Sequence, residues 1–297
     1  MLDFIQKITI QALPHFSSEN VEAAVLRLDL LHPVVSGNKW FKLQYYVADA
    51  VARDSHTIVT FGGAYSNHIV ATAFVASQAG LGSIGYIRGE MSTGFMPTLS
   101  TAKEYGMELR FVDRGRYRDK ETIMQEEGRP GWYWIMEGGY GKKGAEGAAT
   151  ILDIVDTRAY SHICCAVGTG TMMAGLVKRA LPDQQVTGIS VLKNNFTLEK
   201  EILALLNDTE VRKPFSLVHD YHFGGYAKHP PLLIEYMKEV WFTHAVPTDI
   251  VYTSRLFFAV QDLINNKDYF PTGSRLLLIH SGGLQGNHSL PLGTLPF

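Results

Sequence analysis

The chain has 297 residues, 46% of them hydrophobic and 19% charged, and its formal net charge at pH 7 is −2. A chain of this size can bury a core large enough for one or two α/β domains. Its lysines and arginines form no basic stripe, so no nucleic-acid partner is predicted. It contains no run of about 18 apolar residues and no small-residue cleavage site near its start, so we expect a cytoplasmic protein without a membrane span.

Predicted strands and helices alternate along the chain. In chain order, the predicted strands cover residues 57–61, 83–88, 108–113, 132–135, 161–167, 185–191 and 275–280. The predicted helices lie near residues 66–79, 97–106, 144–158, 171–181, 196–207, 231–243 and 253–265. This alternation predicts mostly parallel sheets covered by helices on both faces, and it leaves open whether there is one sheet or two. Such folds bind ligands beyond the carboxyl ends of their strands.

The two cysteines, Cys164 and Cys165, are adjacent in one of the predicted strands. Neighbouring side chains of a strand point to opposite faces, so these two cannot readily form a disulfide with each other. We interpret them as small buried hydrophobic residues of a protein in a reducing compartment. Because there is no second cysteine pair, we expect no structural zinc site and assign no metal ligands.

The first unusual loop is Ser36-Gly37-Asn38-Lys39, where Lys39 follows a Gly-Asn turn and opens an apolar helical stretch. The dipole at a helix N-terminus disfavours a lysine's charge and so favours the neutral amine that a nucleophile needs. An ordinary solvated lysine is the simpler interpretation when this segment is considered alone.

Two further loops connect a predicted strand to a helix through glycines. In Phe61-Gly62-Gly63-Ala64-Tyr65-Ser66-Asn67-His68, free N–H groups at the helix start suit an anion such as a carboxylate, although Ser66 and Asn67 are also common helix caps. In Val167-Gly168-Thr169-Gly170-Thr171-Met172-Met173, two glycines and two threonines favour a cup for a single phosphate. The second loop lacks the third glycine of the dinucleotide motif, since Met173 stands in its place.

The C-terminal half adds the segment Leu277-Leu278-Ile279-His280-Ser281-Gly282-Gly283 and two tyrosines, Tyr226 and Tyr252, beside predicted loops or helix starts. Tyrosines at such positions can act as acids, bases or hydrogen-bond donors. From position alone, buried core tyrosines are the more common case.

Taken in this order, the segments SGNKWFKL, FGGAYSNH, VGTGTMMAGL, GGY, DIVYTSR and HSGG resemble the 1-aminocyclopropane-1-carboxylate (ACC) deaminase / D-cysteine desulfhydrase family. This is a family of fold-type II, tryptophan-synthase-β-like enzymes that depend on pyridoxal 5'-phosphate (PLP). The matching segments span about residues 36–283, nearly the whole chain. Their combination is specific, although no single segment is.

The resemblance implies two three-layer α/β domains with mostly parallel sheets and PLP in the cleft between them. The large domain would comprise residues 1–44 plus 158–297, and residues 45–157 would form the smaller inserted domain. It also implies a homodimer and a small amino-acid substrate.

The cofactor contacts follow from the same resemblance. Lys39 corresponds to the lysine that forms a Schiff base with PLP, and Asn67 to the residue that contacts the phenolic oxygen of the cofactor. Thr253 falls where the family places the group that faces the pyridine nitrogen. The residues implied to hold the phosphate are Gly168, Thr169, Gly170, Thr171 and Met172.

On the substrate side, the resemblance implies that Ser66 and His68, with Asn67 between them, receive the carboxylate of the amino acid. Tyr226 and Tyr252 match the two tyrosines that line this side. Together with Lys39, we assign Ser66, Tyr226 and Tyr252 as candidate catalytic residues.

The chain departs from the family pattern at several positions. Phe41 replaces the usual arginine of the lysine motif, and Ile69 and Val70 stand where a basic residue often follows Ser-Asn-His. After Tyr252, the sequence Thr-Ser-Arg replaces the more usual Thr-Gly-Lys. The changes at Phe41, Ile69 and Val70 remove cationic groups near the motifs.

A neutral Thr253, where ACC deaminases usually have a glutamate, makes PLP a weaker electron sink. Together with His68, where a glutamine is the alternative, it resembles the desulfhydrase branch. We therefore predict an α,β-elimination that gives a 2-oxo acid and ammonia, with Lys39 as the general base. The alternatives are ACC deamination and a non-catalytic PLP-binding protein. A nicotinamide oxidoreductase is disfavoured by the broken dinucleotide spacing.

Overall fold

A computed structural model describes residues 8–16, 20–90, 96–266 and 268–297 of the chain. The strands are β1 (Ile10–Ala12), β2 (Val21–Leu26), β3 (Thr57–Gly62), β4 (Gly82–Arg88), β5 (Met107–Val112), β6 (Trp132–Ile135), β7 (His162–Val167), β8 (Gln185–Ser190), β9 (Phe215–Val218) and β10 (Ser274–Ile279). The α-helices are α1 (Asn38–Ala52), α2 (Asn67–Gln78), α3 (Pro97–Glu104), α4 (Lys120–Glu127), α5 (Lys142–Ala149), α6 (Thr171–Arg179), α7 (Leu198–Leu203), α8 (Pro231–His244) and α9 (Thr253–Asn265).

The strands form two separate sheets, which answers the question that the sequence pattern left open. The larger sheet has six strands in the order β1-β2-β10-β7-β8-β9, and the smaller has four in the order β5-β4-β3-β6. All neighbouring strands are parallel except β1, which pairs with β2 in antiparallel register. The prediction of mostly parallel sheets is thus confirmed.

The four-stranded sheet uses only strands between residues 57 and 135, whereas the six-stranded sheet draws strands from both sides of that segment. This arrangement is the one expected of an inserted unit. Helix α1 crosses the boundary predicted between residues 44 and 45. The division into 1–44 plus 158–297 and 45–157 therefore stays a proposal.

Helices cover both faces of each sheet. On the larger sheet, α8 and α9 pack against one face and α5, α6 and α7 against the other. Cys164 is part of the first of these cores and Cys165 of the second, and both are free thiols with no exposed surface. On the smaller sheet, α1 and α2 cover one face, and Ile123 of α4 is buried against the other.

The sequence prediction missed the strands β1, β2 and β9 and the helix α4. Strands β1 and β9 are short edge strands of three and four residues. Strand β2, Val-Glu-Ala-Ala-Val-Leu, contains alanines and a glutamate, which have low strand propensity, and it is held by its partners β1 and β10. The predicted helix 144–158 is shorter than expected, because α5 ends at Ala149 and continues only as a 3₁₀ turn.

Candidate active site

A cavity of about 570 Å³ lies where loops that follow the strands of both sheets meet. Its wall includes residues at or just beyond the carboxyl ends of six strands: Gly63 after β3, Arg88 at the end of β4, Glu137 after β6, Gly168 after β7, Leu192 after β8 and Ser281 after β10. Parallel α/β sheets bind ligands in this position.

Most of the predicted site residues line this one cavity, although they are far apart in sequence. Those in its wall are Lys39, Ser66, Asn67, His68, Gly168, Thr169, Gly170, Met172, Tyr226 and Tyr252. The other two, Thr171 and Thr253, have no exposed surface and do not line it. The geometry brings the residues together without assigning a role to any of them.

Lys39 is held by contacts between its loop and the loop after β10. Gly37, at the N-cap of α1, has a φ of +66°, and a Cβ on it would lie 1.8 Å from the carbonyl oxygen of Ser281. The same carbonyl accepts a hydrogen bond of 3.1 Å from the backbone N–H of Asn38. Only glycine permits this approach, and the contact fixes the start of the helix that carries Lys39.

The Lys39 amine loses its proton more readily than an ordinary lysine. Its Nζ donates a hydrogen bond of 2.8 Å to Asn38 Oδ1 and lies 6.0 Å from the centroid of the Tyr252 ring. Burial lowers the pKa of Lys39 from 10.5 to about 8, and the negative charge of Asp249 partly opposes this shift. Burial is thus the main cause, in addition to the helix position on which the sequence prediction relied.

A second lysine of the cavity, Lys42, was not predicted from the sequence. It is only 5% exposed, and its Nζ donates to the carbonyl of Gly138 at 3.2 Å. Burial, reinforced by the charge of Lys39, holds the pKa of Lys42 well below 10.5. The spacing of three residues from Lys39 places both side chains on one helix face, and this was the signal that could have revealed it.

The turn before α2 offers hydrogen-bond donors to an anion. Ser66 occupies the N-cap position, but its hydroxyl makes no capping hydrogen bond. The first N–H groups of a helix have no partner within the helix, so those of Asn67 and His68 are available beside the Ser66 hydroxyl. The Asn67 amide donates to the carbonyl of Gly283 at 3.3 Å, while its Oδ1 is buried without a partner among the described residues.

The ring of His68 is neutral and turned toward β3. Thr60 Oγ1 donates to the carbonyl of Ile135 at 2.8 Å and lies 2.8 Å from His68 Nε2, so it accepts the Nε2 proton. Burial, with the nearby charges of Lys39 and Lys42, holds the pKa of His68 well below 6.5. The ring therefore brings no positive charge to a carboxylate, and the donor that His68 offers is its backbone N–H.

The loop before α6 forms a second anion cradle. Gly170 is the N-cap of α6 in left-handed conformation, with a φ of +78°, and the hydroxyls of Thr169 and Thr171 lie 3.0 Å apart. A Cβ on Gly168 would lie 3.1 Å from Tyr252 Cε1, so the glycine lets the tyrosine pack over the loop. Free helix N–H groups and hydroxyls at one helix start suit a phosphate.

The two tyrosines differ in their surroundings. Tyr252 is partly buried in the wall, and burial raises its pKa well above 10. It therefore keeps its proton and can act as a donor at neutral pH. Tyr226 is 46% exposed and also lines the cavity.

The hydroxyl of Thr253 is hydrogen-bonded to Asp249 and does not reach the cavity. It donates to Asp249 Oδ1 at 2.7 Å and accepts from the backbone N–H of Asp249 at 2.7 Å. The Asp249 carboxylate also accepts from the backbone N–H groups of Val251, Tyr252 and Thr253 at 2.8–2.9 Å. Asp249, which the sequence analysis did not single out, therefore fixes the segment that carries Tyr252.

The loops that carry the two tyrosines are joined by a buried arginine, Arg255. This residue has no exposed surface, and its guanidinium donates hydrogen bonds to the backbone carbonyls of Ile250, Val251, Gly225 and Lys228. Gly225 and Lys228 lie on either side of Tyr226 in the sequence, and Ile250 and Val251 directly precede Tyr252. A single side chain thus couples the two loops.

The other departures from the family pattern lie in the hydrophobic core. Phe41 is 2% exposed and packs with the residues beneath the six-stranded sheet. Ile69 and Val70, with 0% and 2% exposure, pack between α2 and α3. These side chains contribute to packing at positions where the resemblance led us to expect basic residues.

Together, a lysine amine of lowered pKa and two loops with free donors for anions around one cavity are the features expected of an enzyme that uses a phosphorylated carbonyl cofactor. The residues present fit PLP: Lys39 would bond its aldehyde carbon, and the α6 loop would hold its phosphate. The buried, unpartnered Asn67 Oδ1 is a further polar atom that a ligand would satisfy.

Comparison with known proteins gives the family. A family model described as "Pyridoxal-phosphate dependent enzyme" matches residues 1–282, so the chain belongs to this family and its cofactor is PLP. A "Putative 1-aminocyclopropane-1-carboxylate deaminase" of Pyrococcus abyssi is 30% identical over 304 residues, with 93% of this chain and 89% of the relative covered. A D-cysteine desulfhydrase of Salmonella typhimurium is 26% identical over 309 residues, with 95% and 93% covered.

A solved structure gives the same result for the fold. A crystal structure described as an ACC deaminase homologue superposes with a TM-score of 0.79 at 26% identity, and covers 95% of this chain and 90% of its own. The resemblance predicted from the motifs and the predicted fold class are both confirmed.

Two further properties concern the described part of the chain. Within it, no helix is long and apolar enough to cross a membrane. In the same residues, no group of three or more histidine, cysteine, aspartate or glutamate side chains is arranged to hold a metal ion.

Proposed function

We propose that this PLP-dependent enzyme is a lyase that acts on a small amino acid by α,β-elimination, in the manner of a D-cysteine desulfhydrase. With D-cysteine and water, the products are a 2-oxo acid, ammonia and hydrogen sulfide. The observation that carries the proposal is the position of Lys39, whose pKa is about 8, in one cavity with the phosphate cradle of α6 and the anion site of α2.

Bound PLP draws electrons away from the α-carbon of the amino acid and so weakens its C–H bond. The chain supplies the groups that act on that carbon. The Ser66 hydroxyl and the backbone N–H groups of Asn67 and His68 hold the carboxylate. Lys39, neutral at slightly alkaline pH, takes the α-proton as the general base.

The departing group at Cβ needs a proton, and Tyr252 is the better placed donor. Its raised pKa keeps the phenol protonated, and its ring centroid lies 6.0 Å from Lys39 Nζ. Tyr226, more exposed at the same wall, is the second candidate.

ACC deamination is the second candidate function, and the names of the relatives support it equally. ACC has no α-hydrogen, so ring opening needs a stronger electron sink and another route to the carbanion. In this chain the group expected at the pyridine nitrogen is Thr253, which does not line the cavity and whose hydroxyl donates a hydrogen bond to Asp249. That neutral, already hydrogen-bonded group favours elimination over ring opening.

The test is ammonia release from D-cysteine, β-chloro-D-alanine and ACC by PLP-loaded protein. We expect turnover of the first two, and at least about a 100-fold loss of kcat in Lys39→Ala, since the base is removed. Ammonia release from ACC alone would contradict the elimination proposal and support the alternative function.

The same experiment includes a reading that does not depend on turnover. After borohydride reduction of PLP-loaded protein, we expect a cofactor mass adduct on Lys39 and none in Lys39→Ala. Lys42→Ala is the matched control, because Lys42 lies one helical turn away and is also buried. An adduct at Lys39 without turnover of any substrate would support the non-catalytic alternative.

We further propose that the protein is a homodimer in the cytoplasm. The resemblance supports the dimer, and the two free, buried cysteines fit a reducing compartment.

A further inference from the structure

The wall of the cavity contains a cation, Arg88, that the proposed chemistry does not use. It ends β4, next to the Gly63 turn, and its Nη2 lies 3.7 Å from the position that a Cβ of Gly63 would occupy. Its guanidinium is 5.9 Å from the centroid of the buried Tyr117 ring. The side chain is exposed and is the only arginine among the described residues of the wall.

Apart from the face of the Tyr117 ring, the charge of Arg88 has no partner within the described part of the chain. Glu137 is the only carboxylate among the described wall residues, and it pairs with Lys120 at 3.2 Å. No hydrogen bond or ion pair joins Arg88 to another described residue. Arg88 therefore lines the cavity with guanidinium donors that no described residue engages in a hydrogen bond.

The other anions of the proposed reaction already have sites. The cofactor phosphate belongs to the α6 loop, which follows the six-stranded sheet, whereas Arg88 belongs to the four-stranded sheet. The substrate carboxylate belongs to the Ser66 turn. A ligand of Arg88 would therefore be a third anionic group. In a small 2-amino acid, that group can only be part of the substituent on Cβ.

We propose that Arg88 is a specificity-determining residue that binds an oxyanion on the β-substituent of the substrate. This rests on the proposed elimination. Preferred substrates are then 2-amino acids whose leaving group carries an oxyanion, for example serine O-sulfate. Lys39 takes the α-proton, the Cβ–O bond breaks with its electron pair on sulfate, and one water releases the 2-oxo acid and ammonium.

The first test compares serine O-sulfate with β-chloroalanine, which has the same carbon skeleton and an uncharged β-substituent. We expect Arg88→Gln to lower the ratio of kcat/KM for serine O-sulfate to that for β-chloroalanine by about 10- to 100-fold. Arg88→Lys is expected to lower this ratio less, because lysine keeps the charge but lacks the guanidinium fork. Arg114→Gln, an exposed arginine outside the cavity wall, is the matched control and keeps the wild-type ratio.

The second test needs no turnover. Calorimetry on PLP-loaded protein measures the Kd of aspartate and of its uncharged isostere asparagine, with both enantiomers of each. The wild type is expected to prefer aspartate by at least about 10-fold, and Arg88→Gln to lose this preference.

The outcomes separate the two proposals. If neither serine O-sulfate nor β-chloroalanine reacts, the elimination fails, while the aspartate-to-asparagine ratio still tests Arg88. If the wild type shows no preference for aspartate, or if Arg88→Gln keeps that preference, the role of Arg88 is overturned. An equal loss of affinity for aspartate and asparagine in Arg88→Gln would place the residue at the α-carboxylate instead, and this also overturns the proposal.

Discussion

At the scale of single residues, Lys39 and Lys42 show how burial prepares an amine for chemistry. Both follow the same glycine-linked turn, and both have a pKa lowered mainly by loss of water. Lys39 keeps some exposure to the cavity, whereas Lys42 is tied to the carbonyl of Gly138. The accessible amine is thus the one that the resemblance assigns to the cofactor.

The lowered pKa of Lys39 predicts a pH profile. Below about pH 8 the amine is protonated and unreactive, and above it the neutral form dominates, whereas an ordinary lysine needs a pH near 10.5. In cofactor-free protein, the rate of adduct formation at Lys39 with an excess of a simple aldehyde, measured by mass spectrometry after reduction, should rise through a midpoint near pH 8. A midpoint near 10.5 would contradict the burial argument. An exposed lysine such as Lys200 provides the comparison within the same sample.

Arg255 carries a second prediction at this scale. Arg255→Lys keeps the charge but cannot reach four carbonyls on two loops, so buried acceptors lose their donors. We expect the free energy of unfolding to fall by about 2–4 kcal/mol and kcat to fall with it, since Tyr226 and Tyr252 lose their shared anchor. Urea denaturation and the elimination assay measure the two effects.

The control for this variant is Arg275→Lys, because Arg275 is an exposed arginine paired with Glu22. A surface ion pair of this kind contributes little, so the change should stay within about 0.5 kcal/mol. Equal effects of the two substitutions would show that Arg255 does not couple the loops.

At the scale of elements, the contact between the start of α1 and the loop after β10 is the feature that positions Lys39. Gly37 lies against the Ser281 carbonyl, and Gly283 accepts from Asn67 at the start of α2. One loop therefore touches both the start of the helix that carries Lys39 and the start of the helix where we propose that the substrate carboxylate binds.

Gly37→Ala tests this contact. The new methyl group meets the Ser281 oxygen, so we expect a loss of stability that exceeds that of Gly80→Ala by at least about 2 kcal/mol. Gly80 is the matched control: its φ of +70° is close to the +66° of Gly37, but no atom lies within 4 Å of its Cβ position. Urea unfolding gives the difference, and titration with PLP shows whether the affinity for the cofactor falls as well. Equal losses would mean that backbone strain, not the contact with Ser281, governs Gly37.

The long periodic elements and the loops of the site could be predicted from the sequence. Strands such as β3 and β7 have strong β-branched or apolar patterns, and the helices α2 and α9 were expected within one residue of their observed limits. The glycine-rich motifs identified the loops around the cavity. These features are local, so the sequence carries them directly.

What could not be predicted depends on tertiary contacts. Strand β2 has weak propensity and exists because β1 and β10 flank it. Lys42, Asp249 and Arg88 resemble ordinary surface residues until the fold places them at or beside one cavity. Lys42 bonds Gly138, 96 residues further along the chain, and Arg88 contacts the ring of Tyr117 on another segment.

At the scale of the whole molecule, the two sheets differ in how their strands are distributed along the chain. The four strands of the smaller sheet lie within 57–135, so their pairings are comparatively local. The larger sheet joins strands separated by some 250 positions, since β10 pairs with β2 from Ser274↔Val21 to Ile279↔Leu26. Between them, the sheets form the cavity from residues of nearly the whole chain.

The place of β10 has a consequence for the growing polypeptide on the ribosome. Strands β1 and β2 are joined to β7, β8 and β9 only through β10, which is synthesised after all of them. Until that strand emerges, the first two strands have an open edge, and Ser281 is not there to fix the loop of Lys39. A nascent chain can therefore complete its smaller sheet early, while the loop of Lys39 reaches its final position only after β10 and Ser281 have been synthesised.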